Sequence, residues 1–239
     1  MLTGRVMQYL KDCLFPVFCI DCGQEGRWWC ENCLVKEKFG VFYCPVCHLQ
    51  NTNGYPCYQC RAATPLNGVA AFLNYKEYSA IAELIRQFKY QFAYDINTVW
   101  KTIVNLSLDK IILQMDFHSS APAIIPVPLH KTRQRERGFN QADLFARLVF
   151  EHLQKNLAVD FDNTNLQRKK STKQQARLKR AERIKNLQGA FIWDSDLRPS
   201  KNIILVDDVY TSGTTLSECA LVLKKAGAHK VFGLTLARD

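Results

Sequence analysis

Residues 203–215 read IILVDDVYTSGTT. Ile203 to Val206 is a continuous apolar run, the pattern of a strand in a parallel sheet covered on both faces. The strand is expected to stop at two adjacent acids, Asp207 and Asp208, with a short hydroxyl-rich loop and then a helix over Leu216 to Ala226. Gly227 stands at the C-cap position of that helix. This order puts Asp207 and Asp208 at the carboxyl end of a strand, where open α/β sheets bind ligands. Thr211, Ser212, Gly213, Thr214 and Thr215 fall where free backbone N–H groups meet the positive end of a helix, which suits a phosphate. Gly213 permits close backbone approach. The acids would repel phosphate, so they are expected to face sugar hydroxyls or Mg²⁺. Plain helix capping needs only one Ser or Thr and leaves the acid pair unexplained. No GxxxxGK[ST] occurs, and no GxGxxG follows a strand, so neither a Walker A loop nor a dinucleotide fold is indicated.

Working outward, strands and helices alternate from Gly68 onward. Val69 to Leu73, Ala123 to Val127 and Val231 to Leu236 read as strands; Tyr78 to Tyr90 and Asn140 to Leu153 read as helices. Such alternation means an α/β fold with a largely parallel sheet flanked by helices. No apolar run approaches the roughly 18–20 residues of a membrane helix. The short run Leu14 to Ile20 is interrupted by Pro16 and is not expected to act as a signal peptide. A soluble, cytoplasmic protein without membrane insertion is expected.

Cysteine and charge divide the chain of 239 residues unevenly. Nine of ten cysteines precede residue 61, and only Cys219 lies beyond. Residues 1–66 carry 6 basic and 5 acidic residues, whereas 67–239 carry 26 and 17 of the total net charge of +10. A cysteine-rich module at 1–66 and a larger domain at 67–239 are therefore expected. The basic excess in the larger part points to an anionic ligand, a nucleic acid, or both.

Eight early cysteines form four CxxC pairs: Cys19/Cys22, Cys30/Cys33, Cys44/Cys47 and Cys57/Cys60. Two such pairs complete a tetrahedral four-thiolate site, so eight cysteines suit two structural zinc ions. Sequential pairing would join the first four and the last four; spacing alone also admits a crossed pairing. A disulfide framework is the alternative, disfavoured in a reducing compartment. Four thiolates leave no open coordination position, and so short a segment needs metal to fold. His48 and Cys13 lie outside the pattern. The aromatic residues Trp28, Trp29, Phe42, Tyr43, Tyr55 and Tyr58 suit a small core, with base stacking as the alternative.

Two basic stretches complete the reading. Lys131, Arg133, Arg135 and Arg137 alternate just after a strand end, and a loop there reaches the sheet edge that carries the anion site. Guanidinium forks there bind pyrophosphate bidentately. Residues 168–185 carry Arg168, Lys169, Lys170, Lys173, Arg177, Lys179, Arg180, Arg183 and Lys185 against one acid, Glu182. This run reads as a mobile arm over the site, as a track for a phosphate backbone, or as solvated surface.

DDVYTSGTT resembles the phosphoribosyl-pyrophosphate (PRPP) loop of type I phosphoribosyltransferases. The segments PVPLHKTRQRERGFNQA (126–142) and TKQQARLKRAERIKNLQGAF (172–191) are similar to the ComF family of competence proteins, as is the cysteine-rich start. The resemblance covers nearly the whole chain. It implies a type I phosphoribosyltransferase-like parallel sheet behind an N-terminal double zinc ribbon. It implies that Asp207 and Asp208 form the catalytic acid pair on the ribose hydroxyls. Thr211 to Thr215 would hold the 5′-phosphate, with Mg²⁺ carried by PRPP. Lys131, Arg133, Arg135, Arg137, Asn140, Lys173, Arg177, Arg180 and Arg183 would meet pyrophosphate or single-stranded DNA. Gln134 and Glu136 stand where the family is often basic. The implied work is natural transformation, with other DNA-uptake proteins as partners. The alternatives are a non-enzymatic nucleic-acid-binding module that retains the site, and a nucleobase-salvage phosphoribosyltransferase.

Overall fold

The apolar run 203–206 lies within strand β8 (Asn202–Tyr210). The computed structural model describes residues 16–74, 80–90, 96–115, 117, 121–170 and 187–239. The other strands are β1 (Val41–Tyr43), β2 (Gln50–Asn51), β3 (Gly68–Asn74), β4 (Pro122–Pro126), β5 (Asp160–Phe161), β6 (Leu166–Arg168), β7 (Phe191–Trp193) and β9 (Lys230–Arg238). The helices are α1 (Glu31–Leu34), α2 (Ala80–Tyr90), α3 (Ile96–Gln114), α4 (Lys131–Arg137), α5 (Gln141–Leu153) and α6 (Thr214–Ala226). Seven strands form one sheet in the order β2-β1-β3-β9-β8-β4-β5, and β6 and β7 form a separate antiparallel pair. From β3 to β5 every pairing is parallel. The fold is α/β with a mostly parallel, helix-flanked sheet, as the sequence indicates.

Alternate residues of β8 enter two separate cores. Ile204 and Val206 pack with Leu84, Trp100, Phe145 and Val149 of α2, α3 and α5. Ile203 and Leu205 pack with Leu216, Cys219, Ala220 and Leu223 of α6. Strand residues alternate faces, so an unbroken apolar run is what a doubly covered strand requires.

The same division creates a crevice. The connection after β4 leads to α5 on one face, and the connection after the neighbouring β8 leads to α6 on the other. Where adjacent strands send their helices to opposite faces, a cleft opens at their carboxyl ends.

Four features depart from the sequence reading. Strand β8 does not stop at the acids but runs on to Tyr210, because β9 continues beside it and pairs Thr235 with Asp207 and Arg238 with Tyr210. Helix α6 starts at Thr214, not Leu216, with Gly213 in the left-handed region (φ 71°) as its N-cap. The basic segment after β4 is the helix α4 rather than a loop; His130 Nδ1 caps it by accepting from the Thr132 N–H, and Gly138 (φ 79°) ends it. Helix α3, 19 residues long, has no counterpart in the sequence reading, although Ile96, Val99, Trp100, Ile103, Val104, Leu108 and Ile111 are buried at helical spacing. Strand β1 of the cysteine-rich segment pairs with β3 across the compositional break, Phe42 opposite Ala70.

Candidate functional site

The crevice between β4 and β8 is a cleft of about 240 Å³. One wall is Asp207 to Leu216; the other is Val127 to Leu129, Arg133, Arg137 and Asn140 to Ala142, and Arg168 also lines the cleft. Asp207 and Asp208 are half-buried, and each carboxylate accepts from the next backbone N–H, Asp208 N at 2.9 Å and Val209 N at 2.6 Å. Ser212 Oγ and Thr214 Oγ1 share a hydrogen bond of 2.9 Å. Gly213 has no side chain with which to cap α6, and Thr214, Thr215 and Leu216 of its first turn line the cleft together with Thr211 and Ser212. Acceptors and amide donors thus stand at opposite ends of one short loop.

Helical geometry sorts the four cations of α4. Arg133 and Arg137 are four residues apart, share a face and line the cleft. Lys131 and Arg135, also four apart, are exposed and lie outside the lining. Arg137 donates to Gln141 Oε1 at 3.2 Å. Asn140 lines the cleft, but its side chain is engaged structurally: Nδ2 donates to the Val127 carbonyl and Oδ1 accepts from the Ala142 N–H, capping α5. Lys173, Arg177, Arg180 and Arg183 lie outside the described residues, as does Cys13.

The cleft also contains a residue that the sequence reading took as mobile or solvated rather than fixed. Arg168, read as part of a mobile basic arm, is fixed in β6, 9% exposed, with its guanidinium over the Phe191 ring at 5.5 Å. Burial, and then the charge of Arg133, hold its pKa below the usual guanidinium value, while Cys219 and Asp207 act the other way. The signal missed was the strand pair: Leu166 and Arg168 alternate with Gln167, which keeps the arginine on the covered face.

The eight cysteines fall into the sequential sets Cys19, Cys22, Cys30, Cys33 and Cys44, Cys47, Cys57, Cys60, with the sulfurs of each set within 4.8 Å of one another. All are free thiols. Sulfur separations of 3.6 Å (Cys22 to Cys30), 3.9 Å (Cys44 to Cys57) and 3.8 Å (Cys47 to Cys57) match the ~3.8 Å edge of a tetrahedron with Zn–S of about 2.3 Å. Burial acts to raise the Cys19 thiol, but N–H groups of Cys22, Cys30 and Asp21 outweigh it and bring it to about 6. Cys44 behaves alike, brought to about 6 by N–H groups of Cys47, Val46 and Cys57 against burial. Cys60 is pushed up to about 12 by the Cys57 sulfur and by burial. Each set shares protons that a metal ion such as zinc would displace. Positive φ at His48 (62°) turns the chain just after Cys47.

Fold and site define a class: an α/β protein with a cleft lined by acids, hydroxyls and arginines at a strand end, preceded by two four-cysteine clusters that could hold metal ions. Comparison with known proteins names relatives. The chain is 39% identical to competence protein F of Haemophilus influenzae over 118 residues, which are 48% of this chain and 50% of that protein. The chain thus spans about half the length of that relative. It is 27% identical to DNA utilization protein YhgH of Escherichia coli over 216 residues (86% and 88%), and 27% identical to competence protein ComFC of Bacillus subtilis over 221 residues (88% and 84%). No protein-family model matches. The chain is thus similar to the YhgH and ComFC proteins over most of its length, and to competence protein F over about half of it. Among the described residues, no helix is long and apolar enough to cross a membrane.

Proposed function

We propose that this chain binds Mg²⁺-PRPP in the β4/β8 cleft and acts in DNA uptake, handling single-stranded DNA in the cytoplasm alongside other uptake proteins. The observation that carries the reading is the crevice itself: an acid pair and a hydroxyl-lined helix start at Gly213 on one wall, with Arg133, Arg137 and Arg168 lining the same cleft. Asp207 and Asp208 accept from the ribose hydroxyls. The amides and hydroxyls of Thr211 to Thr215 donate to the 5′-phosphate. The three guanidinium groups neutralise the pyrophosphate, and bound Mg²⁺ supplies further charge. If the chain is an enzyme, pyrophosphate leaves the anomeric carbon as an acceptor attacks it, and catalysis is positioning plus charge stabilisation. The names of the relatives, competence and DNA utilization proteins, support the uptake role. In this reading residues 1–66 are a metal-folded platform, and 67–239 carry the ligand site.

The test is calorimetric titration of PRPP with Mg²⁺. Wild type is expected to bind, and Asp207→Asn/Asp208→Asn to lose at least about tenfold in affinity, as charge-assisted hydrogen bonds to the sugar disappear. Equal binding by both proteins would overturn the assignment. A second reading, a nucleic-acid-binding module that keeps the cleft as a sensor, is favoured by exposed Lys131 and Arg135 outside the cleft. DNA binding unchanged in the double variant, without pyrophosphate release by wild type, selects it.

A further inference from the structure

The turn that carries Cys44 and Cys47 is fastened to the anion loop through Tyr210. This residue ends β8, is 2% exposed, and donates its hydroxyl to the Pro45 carbonyl at 2.8 Å. Its ring meets Tyr43 at 5.1 Å and His48 at 5.8 Å between centroids. A second tie runs beside it. Arg238, opposite Tyr210 in register, lies 4.3 Å over the Tyr43 ring and donates to the His48 carbonyl at 2.7 Å. The same hydroxyl end of Tyr210 also abuts the loop: a Cβ added to Gly213 would collide with the phenol oxygen. Gly213 therefore rests against the hydroxyl end that the turn 44–48 holds.

That turn is closed by His48 N–H donating to the Cys44 carbonyl and is anchored by Cys44 and Cys47. Metal held by the second cluster would fix the two carbonyls that hold Tyr210 and Arg238. The first cluster sits elsewhere: Trp29, Cys33 and Leu34 pack against α3, beside Thr98, Val99 and Thr102.

We propose that Tyr210 is a positioning residue that couples metal occupancy of Cys44, Cys47, Cys57 and Cys60, and not of the first cluster, to phosphate affinity at Thr211 to Thr215. The proposal rests on the phosphate-site reading above. Coupling between two binding sites is reciprocal, so phosphate must tighten the second metal site by the factor by which that metal tightens phosphate.

The experiment uses zinc-loaded full-length protein and ribose 5-phosphate, which offers a phosphate without the zinc-chelating pyrophosphate. Cysteine alkylation in a zinc buffer, read peptide by peptide, follows each cluster. Saturating ribose 5-phosphate is expected to slow alkylation of Cys44, Cys47, Cys57 and Cys60 about five-fold, the share of one buried hydrogen bond, and to leave Cys19, Cys22, Cys30 and Cys33 unchanged. Tyr210→Phe is expected to keep both zinc ions, to bind ribose 5-phosphate about five-fold more weakly, and to lose the protection. A general stability role would protect both clusters or neither. Wild type that fails to bind ribose 5-phosphate sinks the phosphate-site reading and the coupling with it. Binding without selective protection of the second cluster, or protection that persists in Tyr210→Phe, overturns the coupling alone.

Discussion

Gly213 occupies a backbone conformation that side chains resist, and it does so against the Tyr210 ring. Gly213→Ala is expected to destabilise the protein by at least about 1–2 kcal/mol, the cost of a left-handed residue with a Cβ, before the collision is counted. Urea denaturation checks this, and PRPP binding is expected to fall further than stability, because the turn must shift to clear the ring. That Gly213 mattered was legible in the sequence, since a glycine between hydroxyl residues before a helix announces a close approach. That Tyr210 mattered was not: a tyrosine between an acid pair and a threonine reads as filler until Pro45, remote in sequence, is seen beneath its hydroxyl.

At the scale of elements, the hairpin of β1 and β2 is a short structure whose turn is a cysteine knuckle, and it covers the flank of β3. Stripping metal with a chelator is expected to release it. Hydrogen exchange should then rise in β3, whose Ala70 and Ala71 oppose Phe42 and Val41, while β8 at the centre stays protected. Unchanged exchange in β3 would mean that the hairpin holds without metal. Local pattern and tertiary placement separate clearly here. The CxxC spacing revealed both clusters, but no pattern within residues 41–51 says that two short strands extend a sheet built mostly from residues after 67. The alternating cations at 131–137 suggested an extended loop. Capping by His130 and Gly138 makes that segment a helix, so period two became two faces, with one pair of cations in the cleft and one outside. Helix α3 went unread: its buried residues recur at helical spacing, but exposed Leu106 and Leu113 blur the apolar face.

For the whole molecule, the net charge of +10 resides almost entirely beyond residue 66, and Lys131 and Arg135, exposed outside the cleft, contribute to its long-range field. If single strands follow that field, Lys131→Ala/Arg135→Ala is expected to reduce the slope of log affinity against log salt by about 1.4, or about 0.7 for each phosphate that is no longer neutralised. PRPP affinity should stay near wild type, because neither side chain lines the cleft. Fluorescence anisotropy at several salt concentrations measures the slope, and an unchanged slope places the strand elsewhere. The parallel architecture was readable because one buried run, 203–206, demanded helices on both faces; the crevice followed once the crossovers were assigned to opposite sides. Both margins of the seven-stranded sheet are strands of two residues, Gln50–Asn51 and Asp160–Phe161. So short a border offers a neighbouring molecule almost no ladder to continue. The sheet is thereby guarded against the edge-on stacking that begins fibrils, and encounters with another macromolecule are directed to its helices and loops.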